Sequence, residues 1–135
     1  MIYRHQLFAL LLVLLSCISG AQAETLKPFI LGNTPQGNLD EVVDTTGRLL
    51  TEHGFTVVGS YSPYPNATVI CASHPELSAA ASKATNGGFA AAQRVAVTEI
   101  DGQIQVSYAN PAYIGTAYGL GKLEPVAAKL AEALG

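Results

Sequence analysis

The sequence predicts an α+β domain built on a single antiparallel sheet with helices on one face, and three observations carry that prediction. Residues 94–108 alternate apolar and polar side chains on either side of Asp101-Gly102, a dipeptide suited to a tight hairpin. Residues 39–53 repeat apolar side chains at helical spacing, between a cap-like Asn38 and Gly54. Short apolar runs near 26–31, 55–60 and 68–73 complete the order strand, helix, four strands, helix (β-α-β-β-β-β-α). That order sets helices against one side of a sheet.

Taken in chain order, residues 1–23 have the three zones of a secretory signal peptide. Arg4 and His5 give a short basic start, Leu7 to Leu15 form an unbroken apolar run, and Ala21-Gln22-Ala23 supplies small residues for a peptidase. The apolar run is too short for a bilayer span, which takes about 20 residues. Cleavage is expected between Ala23 and Glu24, which makes the protein periplasmic or secreted. Leu14-Leu15-Ser16-Cys17 offers a lipoprotein alternative, with Leu15 bulky where a smaller residue is usual. Removing 23 residues from 135 leaves a 112-residue single domain, residues 24–135, and losing Arg4 takes the formal charge from −3 to −4. Such a chain lacks the basic footprint of a nucleic-acid binder. No later run is long enough to cross a membrane. Cys71 remains as a single thiol, which excludes an internal disulfide and disfavours dithiol redox chemistry.

Leu26–Leu31 reads as the first strand, followed by a turn at Thr34–Gly37. Asn38 with Glu41 three residues on forms a capping-box pattern. Leu39, Val42, Val43, Thr46, Leu49, Leu50 and His53 then mark the helix, which Gly54 closes. Gly47 inside this helix costs about 1 kcal/mol against alanine, so close packing is expected there. A second strand covers 55–60. Residues 61–65 are expected to be a rigid extended connection, because neither Pro63 nor Pro65 suits a central strand. The third strand covers 68–73, and Pro75 opens a short Ala-rich helix near 75–84.

In the hairpin, a two-residue loop makes Ile100 face Gln103. It then sets Val97 opposite Val106 and Val95 opposite Tyr108 on one apolar face. Arg94, Ala96, Thr98, Gln105 and Ser107 fall on the other, polar face. Pro111 opens a second short helix, 111–118. A final helix starts near Pro125 and buries Val126, Leu130 and Leu134, with Leu123 packed at its start.

The run 95–108, with Asn110-Pro111-Ala112-Tyr113-Ile114 and Tyr118-Gly119-Leu120 after it, resembles the uncharacterised family called domain of unknown function 302. Gly54-Phe55 and a strand running into His74-Pro75 are similar too. The resemblance covers about residues 26–134 and implies the β-α-β-β-β-β-α architecture of TATA-binding-protein-like folds. It implies no activity. Members often carry a small polar residue where this chain has His74, so no role for His74 is inherited.

Cys71-Ala72-Ser73-His74 is the sharpest chemical candidate, since thiolate and imidazole suit copper, zinc or haem iron. Residues three apart on a strand point to opposite faces, so convergence requires a bend at Ser73. The plainer reading packs Cys71 as a small hydrophobe and uses His74 as a helix cap. A cysteine hydrolase would also need a group to orient the base, and no spacing supplies one. His53 reads as a cation at a helix C-terminus, and Asp40, Glu41 and Asp44 as an acidic first turn. Tyr61, Tyr64, Tyr108, Tyr113 and Tyr118 are candidates for a ligand cleft, or else for the rim of the core. The leading expectation is an exported, non-catalytic binding module for a small molecule or an envelope protein. It would work through the open sheet face, the sheet edges or the tyrosine-rich edge, with self-association as one form. No cofactor is expected. The alternative is a periplasmic metal- or haem-binding protein using Cys71 and His74.

Overall fold

The computed structural model describes residues 25–135, so the signal segment and the Ala23–Glu24 cut lie outside the described residues. The elements are β1 (Phe29–Leu31), α1 (Leu39–Glu52), β2 (Thr56–Tyr64), β3 (Ala67–Ser73), α2 (Pro75–Ala81), a 3-10 turn (Gly87–Ala90), β4 (Ala92–Ile100), β5 (Gln103–Ala109), α3 (Pro111–Ala117) and α4 (Glu124–Leu134). All five strands form one antiparallel sheet in the order β1-β5-β4-β3-β2. The expected fold class is therefore the observed one.

The capping box at α1 is present. Asn38 Oδ1 accepts from the Glu41 N–H at 3.0 Å, and a Glu41 carboxylate oxygen accepts from the Asn38 N–H at 3.3 Å. At the other end Gly54 takes a positive φ of 85°. The Phe55 N–H reaches back to the Leu50 carbonyl at 3.0 Å, and the Gly54 N–H to that of Thr51 at 3.0 Å. These two bonds satisfy carbonyls that the helix end would otherwise orphan, and they bring Phe55 onto Leu50, both buried. Gly47 corrects an expectation. A methyl group there would meet nothing within 4 Å outside the helix's own backbone, so close packing does not explain this glycine.

The Asp101-Gly102 hairpin has the expected register, with Ile100 opposite Gln103, Val97 opposite Val106 and Val95 opposite Tyr108. Both loop residues adopt positive φ, 51° and 75°, as a type I′ turn requires. Val95, Val97, Ile104, Val106 and Tyr108 pack with Ile70 and Ala72 beneath Val42 and Leu50 of α1 and Val126 and Leu130 of α4. Each fully buried aliphatic in this layer contributes about 1.5–3 kcal/mol.

The segment 61–65 departs from expectation. Tyr61 to Tyr64 continue β2, Pro63 included, and Pro65-Asn66 is the turn of a second hairpin. Pro63 fits because β2 is an edge strand, where no neighbour waits for its missing N–H. Shifts of register between Val57 and Gly59 and between Tyr61 and Tyr64 break the ladder further. Asn66 ties this turn to β4. Its Nδ2 donates to the Glu99 carbonyl at 2.8 Å, and its own carbonyl accepts from the Glu99 N–H at 2.9 Å.

Candidate functional site

The sheet has one covered and one bare face, and strand alternation decides what each shows. On β3, Ile70 and Ala72 are buried under the helices, so Val69, Cys71 and Ser73 look outward. Cys71 stands opposite Gly59 on one side and Arg94 on the other. His74 follows the covered set. Its ring lies 5.1 Å from that of Phe55, and its Nδ1 accepts from the Glu76 N–H at 3.2 Å. That bond caps α2 and requires a neutral ring with its proton on Nε2. The strand does not bend to join the two residues, so the thiol and the imidazole face opposite sides of the sheet. The pair proposed for copper, zinc or haem is not brought together. His53 closes α1, its Nδ1 2.8 Å from the Leu49 carbonyl. Among the described residues no group of three or more His, Cys, Asp or Glu gathers in one place.

The five tyrosines do not share a cleft either. Tyr108 belongs to the covered face, where its hydroxyl donates to the Gly135 main-chain oxygen at 3.2 Å, and burial raises its pKa above the ordinary 10.0. Tyr118 closes α3 and stacks on Phe89, with ring centroids 5.9 Å apart. Tyr113 lies on the outer side of α3 beside Leu26 and Thr116. Tyr61 and Tyr64 belong to β2 and point to the bare face, opposite Val69 and Ala67.

That face is where the structure concentrates exposed apolar side chains. Phe29 and Leu31 of β1 are each 60% exposed, Tyr61 53%, Tyr64 68% and Ile100 49%. Register aligns Leu31, Ser107, Ala96, Val69 and Tyr61 in one row across all five strands. Arg94, Cys71 and Gly59 form the next row, in line with Phe29 and Ala109. The outer strands thus carry large side chains, while the middle three carry mostly small ones. A depression of about 320 Å³ results, reached by both Phe29 and Tyr61 and floored by Val69, Ala96 and Ser107, with Arg94 beside it. The sequence showed the polar part of this face in the hairpin and singled out Tyr61 and Tyr64 of the β2 wall, but missed Phe29 and Leu31 of the β1 wall. The alternation Phe29-Ile30-Leu31 was the available signal, with Ile30 alone opposite the covered Tyr108.

A second hollow of about 250 Å³ lies between the Asn33–Gln36 loop, Thr45 and Leu49 of α1, and Leu134 of α4. None of the residues singled out for ligand or metal binding lines it. Among the described residues no helix is long and apolar enough to cross a membrane.

The molecule is thus an α+β domain with one helix-covered and one bare antiparallel sheet face. The same fold is found in the crystal structure of the uncharacterized conserved protein DUF302 from Bacillus stearothermophilus. The TM-score is 0.70 at 14% sequence identity, over 81% of this chain and 97% of that one. The resemblance carried by the hairpin therefore extends to the three-dimensional fold. No family model and no curated protein matches the sequence.

Proposed function

We propose that this chain is an exported, non-catalytic binding module that receives a protein partner on the bare face of its sheet. One observation carries the reading: Phe29, Leu31, Tyr61, Tyr64 and Ile100 stand exposed on a single face. Exposed apolar side chains gathered into one patch mark interaction surfaces, whereas isolated ones do not. The sheet edges are poorer candidates. β1 is three residues long and follows Pro28, and β2 carries Pro63 and two register shifts, devices that blunt strand addition. The reading is non-catalytic because Cys71 and His74, a nucleophile and a base in type, face opposite sides of the sheet. Export rests on the composition of residues 1–23.

Site-specific photo-crosslinking in cells tests it. A benzophenone amino acid replaces Tyr61 on the bare face or Tyr113 on α3, both exposed. Discrete protein adducts from position 61 and none from position 113 are the expected result. Equal adducts from both positions, or none from 61, would refute the reading. Mass measurement of the same purified chain should show Glu24 as its first residue.

A further inference from the structure

We infer that the occupant of the bare face is an amphipathic α-helix of another protein, seated along the strands with one of its carboxylates on Arg94; this rests on the binding reading above. The five strands carry two charged side chains in all, Arg94 and Glu99. Glu99 stands opposite Ile104, in the set that faces the helices, so Arg94 is the only charged side chain the strands present on the bare face. It is exposed, and the ion pair among the described residues joins Arg48 to Glu52 elsewhere. A guanidinium on an apolar floor selects for a carboxylate, because covering it without one buries an unpaired charge. That same cost disfavours a second copy laid face to face. It would bring Arg94 against a surface whose strands offer no acid.

Shape then selects the segment. The walls on β1 and β2 are separated by four strand spacings, roughly 19 Å between backbones, and Phe29 and Tyr61 both reach the depression between them. The space between such walls suits one helix of about 10–12 Å diameter. The three residues of β1 limit the part of the trough walled on both sides to about 10 Å, or roughly two helical turns. An extended peptide would fit the width too, but it would press unpaired N–H and C=O groups onto an apolar floor. A helix satisfies these groups internally and offers an apolar stripe at i, i+3, i+4 and i+7. The half-buried Val69, Ala96 and Ser107 that floor the depression are small enough to leave room for such a stripe.

The probe is a displayed library of helix-forming 15-residue peptides, selected on the full mature chain and counter-selected on its Tyr61→Ala variant. Enriched sequences are expected to combine an apolar stripe of helical period with an Asp or Glu at one fixed position. For one such peptide, Arg94→Glu should weaken binding by about tenfold or more, and replacing the peptide's acid by lysine should restore it on that variant. Cys71 shares the face, so bound peptide should also slow its reaction with a thiol reagent. Enrichment of peptides lacking the acid or the helical period, or no enrichment, overturns the inference. So does an unchanged affinity on Arg94→Glu, or a dimer in sedimentation that Tyr61→Ala dissolves. Crosslinks from position 61 together with any of these results would leave the binding reading standing and remove only the helix and its acid.

Discussion

Replacing Gly47 by alanine should make this protein more stable, and the structure gives the size of the effect. The residue lies in the interior of the 14-residue α1, where glycine costs about 0.8–1.0 kcal/mol relative to alanine because the unfolded chain is freer. Two conditions decide whether that gain is realised: the backbone must be helical, and the methyl must have room. Gly47 is not among the positive-φ glycines, and a Cβ there meets no atom within 4 Å beyond the helix itself. Its carbonyl accepts from the Thr51 hydroxyl at 2.9 Å, a bond the substitution leaves in place. About 1 kcal/mol in a domain of this length corresponds to a rise in Tm of roughly 4–6 °C. Far-UV circular dichroism through urea and thermal unfolding reads it, with the urea slope unchanged. An unchanged or lowered midpoint would refute the reasoning and mean that something packs against α1 at this point. Gly115→Ala provides the opposite control, since its Cβ would strike the Gly121 carbonyl and come within 2.9 Å of Leu123 Cγ. It should destabilise by about 1–3 kcal/mol.

His74→Ala should cost about 1 kcal/mol by removing the acceptor for the Glu76 N–H. His74→Asn should recover most of it in urea unfolding, which a metal-ligand role for the imidazole would not allow. Gln93 is fully buried with no protein hydrogen bond at either amide atom, so Gln93→Met should raise stability by about 1 kcal/mol; a lower urea midpoint would show that the amide is paired in solution. Tyr108 titrates above 10.0 in the folded chain because it is buried. Between the unfolded and the folded value the folded state keeps a proton that the unfolded state has released. Its contribution is therefore complete below about pH 10 and is lost as pH rises through the folded value. Urea midpoints at pH 9, 10 and 11 should fall more steeply for the natural chain than for Tyr108→Phe.

What was legible in the sequence was what neighbours in the chain determine. The capping box of Asn38 and Glu41, the close of α1 at Gly54 and the hairpin register around Asp101-Gly102 each depend on residues a few positions apart. The structure reproduces them bond for bond. What failed depends on distant residues. Pro63 excludes a central strand but not an edge strand, and the edge place of β2 is set by the pairing of β1 with β5 across the sheet. Gly47 raises the same question in a helix, because a glycine needed for close approach and one facing open space read alike. For Cys71 and His74 the spacing already pointed to opposite faces, and only the bend at Ser73 that would have joined them stayed open. The extended backbone of His74, φ −138° and ψ 147°, continues the strand's alternation and sends them apart.

The apolar character of the bare face was legible only in part, through Tyr61 and Tyr64, for a related reason, and that reason bears on its use. The hairpin by itself shows a face of Arg94, Ala96, Thr98, Gln105 and Ser107, which reads as ordinary solvated sheet. Its apolar character comes from β1 and β2, which lie at opposite edges and far apart in the chain. A face meant only for water has no need of Phe29, Leu31, Tyr61 and Tyr64, since polar side chains serve β1 and β2 equally well there and avoid self-association. The protein keeps these apolar walls while protecting the adjoining edges with Pro28, Pro63 and broken register. It also places a single uncompensated guanidinium between the walls. Blunted edges and a lone charge both work against sticky, non-specific pairing, while on the proposed reading the apolar walls keep affinity for a surface that answers that charge. That combination is what selective recognition requires, and it is what the Arg94→Glu exchange measures.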